Sequence, residues 1–189
     1  MGLLSREQID ALGFASVGVD VRLSDKASFY GCQRIHLGNH VRIDDFCVLS
    51  AGTGGIYIGN HIHIAVYSSL QGAGRIALDD FCNISSRVSI YSSSDDYSGE
   101  YMTNPMVPSE YTNVHSADVT LHKHVIIGSG SVVLPGVTLN EGVAVGSLSL
   151  IKSDCAPFGI YVGNPAKYVK ARRRDLLDKE IDFTRHAGQ

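Results

Sequence analysis

Histidine, aspartate and lysine side chains give this chain its candidate chemistry. The eight histidines lie at positions 36, 40, 61, 63, 115, 122, 124 and 186. Imidazole titrates close to neutral pH, so each of them is able to take up or release a proton during a reaction. Carboxylates occur in pairs, as in Asp95-Asp96, and the C-terminal part carries a run of basic residues from 167 to 174. Proton transfer and binding of an anionic group are therefore the two kinds of chemistry to place on a fold.

Composition sets limits on the classes of function. The chain has 189 residues, 44% of them hydrophobic and 19% charged, with a net charge of -3 and a pI near 6.2. Such a chain buries a substantial core and is expected to form one globular domain. The acidic balance argues against nucleic-acid binding, which relies on a basic surface. No signal-peptide pattern and no membrane-spanning apolar run are seen, so we expect a cytoplasmic protein without membrane insertion.

A six-residue period runs through most of the sequence. LGNHVRI at 37–43 recurs as IGNHIHI at 58–64, and IDDFC at 43–47 recurs as LDDFC at 78–82. Within each repeated segment, every sixth residue counted from its first aliphatic position is Leu, Ile or Val. The positions are Leu37, Ile43, Leu49, Ile58, Ile64, Leu70, Leu78, Ile84, Ile90, Leu121, Ile127, Val133, Leu139, Val145 and Ile151. A repeat of this regularity decides the fold class.

The period predicts an all-β parallel β-helix. Each six-residue unit has one aliphatic residue and, four residues later, one small or β-branched residue. This pattern fits a short strand followed by a turn. The second set is Cys47, Thr53, Ser68, Cys82, Ser131, Val137 and Ser149. Three units make a coil of about 18 residues that rises by about 4.8 Å, the spacing of paired strands. We expect about five coils from 37 to 155, preceded by a looser coil at Val17, Leu23 and Phe29.

The ends and one interruption depart from the period. Ser5 to Gln8 has the form of a capping box and predicts a short N-terminal helix within residues 1–16. The repeat then covers 17–158 and is interrupted by a polar loop at 92–117, of a length that usually carries function. Residues 159–189 form a C-terminal segment, in which apolar spacing from 166 to 183 predicts an amphipathic helix. The four cysteines lack metal-site spacing and are expected to be buried thiols.

The sequence resembles the hexapeptide-repeat acyltransferases, in the branch of galactoside and maltose acetyltransferases. IGSGSVVLPGVTLNEGVAVGSLSLI at 127–151 and GNPAK at 163–167 carry the resemblance, which extends from about 17 to 172. It implies a left-handed parallel β-helix with acetyl-CoA as co-substrate and no catalytic metal. It also implies a homotrimer with the acceptor and acetyl-CoA in clefts between subunits.

The acceptor is predicted from further segments. GNHIHIA at 59–65 and SIYSSSDDYSG at 89–99 are similar to transferases that acetylate nucleotide-linked 4-amino-4,6-dideoxy sugars in surface-polysaccharide (lipopolysaccharide O-antigen) biosynthesis. The branch places a catalytic histidine at the entry of the long loop, where this chain has Ser94-Asp95-Asp96. An amine needs less base assistance than an alcohol, so an amine acceptor fits this departure. Sugar O-acetylation is the alternative.

Three sets of residues compete for the proton-transfer and acceptor roles. His63, one residue before Ile64, is expected to point outward near the cleft and is our candidate base. His115 lies in the loop, which can close over the acceptor. Asp95 and Asp96 are candidates for holding a substrate ammonium or taking its proton.

The resemblance also implies a binding surface for CoA. Ser129 and Ser147 match positions whose backbone lines the pantetheine arm, and Lys152 and Ser153 match a pair near the adenine. Lys167 and Lys170 match basic residues that meet the ribose phosphate, for which lysine is a suitable charged partner.

Two other classes of function are possible for such a prism. Carbonic anhydrases of the γ type bind zinc with histidines five residues apart, and no pair of histidines in this chain has that separation. A non-catalytic scaffold would not need the CoA-like segment. The nucleotide, the acyl group and the choice between amine and hydroxyl are left open by the sequence.

Overall fold

The N-terminal segment forms a short helix that covers one end of the core. The computed structural model describes residues 2–187, and its first helix, α1, spans Arg6–Ala11. Ser5 Oγ accepts a hydrogen bond from Gln8 N at 3.2 Å, and Gln8 Oε1 accepts one from Ser5 N at 2.8 Å. Ile9 is buried in the main core. The predicted capping box and helix are thus confirmed.

Six coils of three strands follow the helix. Their strands are β1 (Ser16–Val17), β2 (Arg22–Leu23), β3 (Ser28–Tyr30), β4 (Ile35–Leu37), β5 (Val41–Ile43), β6 (Val48–Ala51), β7 (Ile56–Ile58), β8 (Ile62–Ile64), β9 (Ser69–Gly72), β10 (Ile76–Leu78), β11 (Asn83–Ile84), β12 (Ser89–Tyr91), β15 (Val119–Leu121), β16 (Ile126–Ile127), β17 (Val132–Val133), β18 (Thr138–Leu139), β19 (Ala144–Val145) and β20 (Leu150–Ile151). Strands β13 (Ser93–Ser94) and β14 (His115–Ser116) belong to the inserted loop. A 3-10 turn, Cys32–Arg34, precedes β4.

The coils stack into a three-sided, left-handed prism with parallel strands on each side. The first sheet has the order β1-β4-β7-β10-β15-β18, the second begins β2-β5-β8-β11-β16-β19, and the third contains β3-β6-β9-β12-β17-β20. We call the corner between the first and second sheets the first edge, that between the second and third sheets the second edge, and the remaining one the third edge. The predicted β-helix is confirmed.

The core lies inside the prism. All fifteen Leu, Ile and Val residues of the six-residue period are buried, with no more than 4% of any one exposed. Full burial of such a side chain contributes about 1.5–3 kcal/mol, which is what joins coils that are too small to fold alone. Thr53 is an exception to the predicted inner set, because it lies on an exposed Gly-rich corner where Ala51 takes the inward position.

The first edge carries a column of stacked rings. His40, His61, Phe81 and His124 have positive φ angles between 56° and 62°. Their ring centroids are separated by 4.6, 5.0 and 5.1 Å from one coil to the next. A left-handed backbone costs a non-glycine residue about 1–2 kcal/mol, and the stacking between coils offsets that cost.

The polar interruption leaves and re-enters the prism at the third edge. Its stem consists of β13 (Ser93–Ser94) and β14 (His115–Ser116), which pair antiparallel, and a 3-10 turn spans Ser109–Tyr111. At the base of the stem, Ala117 N donates to Ser92 O at 3.0 Å. The predicted loop at 92–117 is therefore an excursion closed at its base.

The C-terminal segment is a hairpin followed by a helix. Strands β21 (Gly159–Gly163) and β22 (Ala166–Ala171) pair antiparallel on the second sheet, and helix α2 spans Asp175–Ala187. The prediction that the helix starts near Ala166 is wrong, because β21 offers a free edge whose backbone groups pair with β22. No helix among residues 2–187 is both long and apolar enough to cross a membrane.

Candidate active site

His63 and Asp44 form a hydrogen-bonded pair on the outer face of the second sheet. In β8, Ile62 and Ile64 point inward, so His63 between them points outward. Its Nε2 lies 2.8 Å from Asp44 Oδ2. The other oxygen, Oδ1, accepts from Arg42 Nε at 2.7 Å. One carboxylate thus fixes the orientation of both a histidine and an arginine.

Asp44 stays ionised at neutral pH. Burial raises the pKa of its carboxyl group, but hydrogen bonds from His63 and Arg42 outweigh burial and hold the pKa below its ordinary value. The side chain of Asp44 is 14% exposed, whereas that of His63 is 41% exposed. When Nε2 donates its hydrogen to Asp44, Nδ1 of a neutral His63 carries a lone pair and is able to accept a proton from a substrate.

Small residues occupy the second edge next to His63. Ala65, Ser85 and Gly128 follow the strands of three successive coils, joined by hydrogen bonds from Ala65 N to Ile84 O at 2.9 Å and from Ser85 N to Ile127 O at 3.0 Å. Ser85 was not predicted as a site residue, although its position one coil above Ala65 follows from the period. Phe46, Tyr67 and Arg87 border these small residues on the same edge, with the rings of Phe46 and Tyr67 stacked at 5.0 Å.

Ser129, Ser147 and Lys167 lie together further along the same edge. Leu148 N donates to Ser129 O at 2.9 Å, which sets the two serine corners one above the other. The neighbouring Gly146 lies so close to Val162 that an added Cβ would be 2.7 Å from the valine side chain. Lys167 is the pairing partner of Val162 in the terminal hairpin. The structure therefore brings three of the predicted CoA residues to one place.

Lys170, Lys152 and Ser153 are less uniformly placed. Lys170 lies on the same hairpin strand as Lys167 and is exposed, opposite Ile160. Lys152 and Ser153 are exposed just after β20 on the third edge. Within one chain this pair is separated from Ser129 and Ser147 by the width of the third sheet.

The inserted loop carries Asp95, Asp96 and His115. His115 pairs with Ser94 across the stem, so it lies next to Asp95 in the sheet. Asp95 lines a surface hollow of about 390 Å³ together with Tyr91 and Tyr97, and its carboxylate makes no hydrogen bond within residues 2–187. Asp96 is used differently, since its carboxylate accepts from the Ser98 backbone and hydroxyl at 2.8 Å each. Those bonds hold the pKa of Asp96 below its ordinary value and leave Asp95 as the available carboxylate.

The two groups of candidate residues lie on different edges of the prism. His63, Ser85, Ser129 and Ser147 belong to the second edge or its border, whereas Asp95 leaves from the third edge. The sheet between them has an uncharged outer column, formed by Ser28, Val48, Ser69, Ser89, Val132 and Leu150, all half-buried. The buried core fills the space behind that sheet. Within one prism, Asp95 and His63 are therefore separated by the width of the third sheet.

The described residues contain no cluster that resembles a metal centre. Over residues 2–187, no three His, Cys, Asp or Glu side chains converge in a geometry for holding a metal ion. On the first edge, His40 and His61 stack on each other, His124 stacks on Phe81, and His122 pairs with Asp79 at 2.8 Å.

Comparisons with known proteins give a consistent result. No family model matches the chain. An Escherichia coli protein, dTDP-4-amino-4,6-dideoxy-D-glucose acyltransferase, is 59% identical over 183 residues, which cover 97% of this chain and 95% of that protein.

Solved structures of AntD, an N-acyltransferase from Bacillus cereus, are also similar. Its complex with dTDP and 3-hydroxybutyryl-CoA is 42% identical, with a TM-score of 0.95 and full coverage of both chains. A variant with one serine replaced holds dTDP-4-amino-4,6-dideoxyglucose and coenzyme A, with a TM-score of 0.94, 43% identity and 98% coverage of each chain. A variant with one aspartate replaced holds dTDP and coenzyme A.

Proposed function

We propose the reaction of this chain from the premise that it belongs to the dTDP-4-amino-4,6-dideoxyglucose acyltransferases, a family of hexapeptide-repeat enzymes that use acyl-CoA. The proposed reaction is transfer of an acetyl group from acetyl-CoA to the 4-amino group of a dTDP-linked 4-amino-4,6-dideoxy sugar. The 59% identity across nearly the whole chain carries this proposal.

Asp95 and Ser85 are proposed to contact the amine. The serine and the aspartate replaced in the Bacillus cereus variants are ten residues apart in that protein. Ser85 and Asp95 have the same separation in this chain, as do Ser86 and Asp96, but the carboxylate of Asp96 is already bonded to Ser98. A carboxylate without a partner in the described residues suits a substrate ammonium, which it attracts before transfer.

His63 is proposed as the proton acceptor. Nδ1 removes a proton from the ammonium, and the neutral amine attacks the carbonyl carbon of the thioester. The carbon–sulfur bond then breaks as the nitrogen releases its second proton to solvent to give the neutral amide, and the proton held by His63 passes to the departing CoA sulfur. Asp44, hydrogen-bonded to Nε2, stabilises the imidazolium in between. His115 next to Asp95 is proposed as an acceptor contact.

The active site is proposed to form between copies of the chain in a homotrimer. The separation of Asp95 from His63 on one prism supports this arrangement, since the loop of a neighbouring copy has to supply the carboxylate. The uncharged outer column of the third sheet is a suitable face for packing around a threefold axis. In the trimer, Lys152 and Ser153 of one copy approach Ser129 and Ser147 of the next, and Lys167 and Lys170 bind the phosphate of CoA.

The product is proposed to serve surface-polysaccharide biosynthesis, such as that of the lipopolysaccharide O-antigen. Nucleotide-linked sugars are donors for glycosyl transfer, and acetylation of the amine removes a positive charge before that step. The reaction is proposed to take place in the cytoplasm, where acetyl-CoA is available.

The decisive experiment compares two acceptors that differ in one group. Purified protein with acetyl-CoA is expected to release CoA and acetylate dTDP-4-amino-4,6-dideoxyglucose, but to leave dTDP-glucose, with a 4-hydroxyl group, unchanged. Replacing acetyl-CoA by 3-hydroxybutyryl-CoA tests the acyl group. Turnover of sugar hydroxyls without turnover of the amine would instead establish the O-acetyltransferase alternative.

A further inference from the structure

A column of basic side chains runs along the second sheet below the proposed reaction centre. In the register of consecutive coils, Arg22 pairs with Arg42, and Arg42 pairs with His63. All three residues point outward, with 58%, 51% and 41% of their side chains exposed. Neighbours in such a column are about 4.8 Å apart, so the three side chains form a continuous strip.

An aspartate orients each arginine of this strip in the same way. Arg22 Nε donates to Asp20 Oδ1 at 2.8 Å, and Arg42 Nε donates to Asp44 Oδ1 at 2.7 Å. The terminal nitrogens of both guanidinium groups make no hydrogen bond within residues 2–187. Since a guanidinium carries five N–H donors, four remain on each side chain. Exposed ion pairs of this kind add little stability, so stability does not account for two arginine forks held side by side.

The position of the strip along the prism matches the order of groups in the substrate. Ser129 and Ser147 lie on the C-terminal side of His63, and Arg42 and Arg22 lie on its N-terminal side. The two arginines are one and two strand spacings from His63, about 4.8 and 9.6 Å. These distances match those from the 4-amino group of the sugar, across the pyranose ring, to the diphosphate on its anomeric carbon.

We propose that Arg42 and Arg22 bind the diphosphate of the nucleotide-linked sugar, with Asp44 and Asp20 as positioning residues. This inference rests on the proposed function. The acceptor then lies along the second sheet with its amine at His63 and its nucleotide toward the N-terminal coils, while acyl-CoA approaches from the C-terminal coils. Arginine forks suit phosphate oxygens, because they bind two oxygens at once. Asp44 is hydrogen-bonded to both Arg42 and His63. It therefore fixes the distance between the group that binds the diphosphate and the group that accepts the proton of the amine.

Calorimetric titration of the full chain with dTDP, dTMP and thymidine tests the assignment. The wild-type protein is expected to bind dTDP more tightly than thymidine. Arg42→Gln should weaken dTDP binding about 10- to 100-fold and leave thymidine binding unchanged, because only phosphate contacts are lost. Arg42→Lys keeps the charge without the fork and should give an intermediate loss. Arg173→Gln is the matched control, since Arg173 is also exposed and paired with an aspartate, Asp175, at 2.7 Å, but lies beyond the terminal hairpin.

Kinetics separate binding from structural damage. Arg42→Gln and Arg22→Gln should raise KM for the nucleotide sugar while KM for acetyl-CoA and kcat at saturation change little. Asp44→Asn should raise the same KM and also alter the pH profile of kcat, and Asp44→Glu should restore part of both. Wild-type dTDP affinity in both arginine variants of an active enzyme would overturn this inference alone. A wild-type protein that neither prefers dTDP to thymidine nor acetylates the amino sugar would overturn the proposed function itself.

Discussion

His124 Nε2, on the first edge of the prism, lies 2.7 Å from Glu180 Oε2 on the terminal helix. Lys123 donates to the other oxygen of the same carboxylate, and Phe183 packs edge-on against His61 and Phe81. Burial raises the pKa of Glu180, but the two hydrogen bonds outweigh burial and leave the pKa below its ordinary value of 4.5. The helix is therefore held by the ionised carboxylate.

Glu180→Gln is expected to lower the free energy of unfolding by about 1 kcal/mol at neutral pH. Because the pKa is lowered in the folded state, this stabilisation is present above pH 4.5 and is lost as the pH falls through the lower, folded-state value. Urea denaturation at about pH 7 and about pH 3 checks both statements. Asp182→Asn, an exposed change beyond the first turn of the same helix, is the control and should have no effect. Equal stability of Glu180→Gln and wild type at neutral pH would contradict the role of this contact.

His63→Asn is expected to lower kcat about 100-fold or more with little change in stability, because asparagine cannot accept a proton near neutral pH. The deficit should shrink as the pH rises, since the amine acceptor then arrives deprotonated. Profiles of kcat/KM between about pH 6 and pH 9 measure this.

His122→Asn supplies the matched control for that experiment. His122 is also held by an aspartate at 2.8 Å and is 43% exposed, but it lies on the first edge. It should keep wild-type rates. Wild-type rates in His63→Asn as well would transfer the base role to Asp95.

Lys167→Ala combined with Lys170→Ala is expected to raise KM for acetyl-CoA about 30- to 1000-fold, since each lysine contributes about 1–2 kcal/mol to phosphate binding. Dephospho-CoA thioesters lack the phosphate on the ribose, and the double variant should use them as well as the wild type does. Lys179→Ala on the terminal helix is the control. A rise in the KM of the acceptor alone would show that the hairpin meets the sugar instead.

The cysteine thiols should be protected until the protein unfolds. Burial raises the pKa of Cys47 to about 11, that of Cys82 to about 12 and that of Cys155 to about 11. Thiolate is the reactive form, so these three should resist a disulfide reagent at about pH 8 in the native protein. Cys32, which is only half-buried, should react first, and Cys32→Ser should remove that reaction. Rapid labelling of all four native thiols would contradict the packing of the core.

Light scattering is expected to show a trimer at micromolar concentration, because Asp95 and His63 lie on different edges of one prism. A mixture of inactive His63→Asn and inactive Asp95→Asn chains, dissociated and reassembled together, should regain activity in mixed trimers. A monomer with full activity would contradict the shared site.

The period in the sequence was sufficient to predict the prism but not the contacts on its surface. Every Leu, Ile and Val residue of the six-residue period is buried, since the core of a β-helix repeats the same environment in each coil. The pairing of Arg42 with His63 was also available, because the 21-residue offset between LGNHVRI and IGNHIHI relates position 42 to position 63. The role of Asp44 was missed, since turn chemistry alone accounts for an aspartate after a strand.

Other features depend on tertiary contacts that no local pattern contains. The stretch from Ala166 to Ala171 has helical spacing, but the exposed backbone of β21 turns it into a strand. Asp95 and Asp96 are adjacent and identical in type, yet Ser98 donates hydrogen bonds only to the carboxylate of Asp96. The separation of the site residues between two edges follows from the folding of coils, not from their order in the chain.

The closed stem of the inserted loop has an evolutionary consequence. Ser93 and Ser94 pair with Ser116 and His115, and Ala117 bonds back to Ser92, so the chain re-enters the prism where it left. The coils on either side stack directly on each other, since β10 pairs with β15 and β12 pairs with β17. A change in the length or the residues of the loop between the stem strands therefore requires no change in the stacking of the coils, so selection is able to act on the loop separately from the prism.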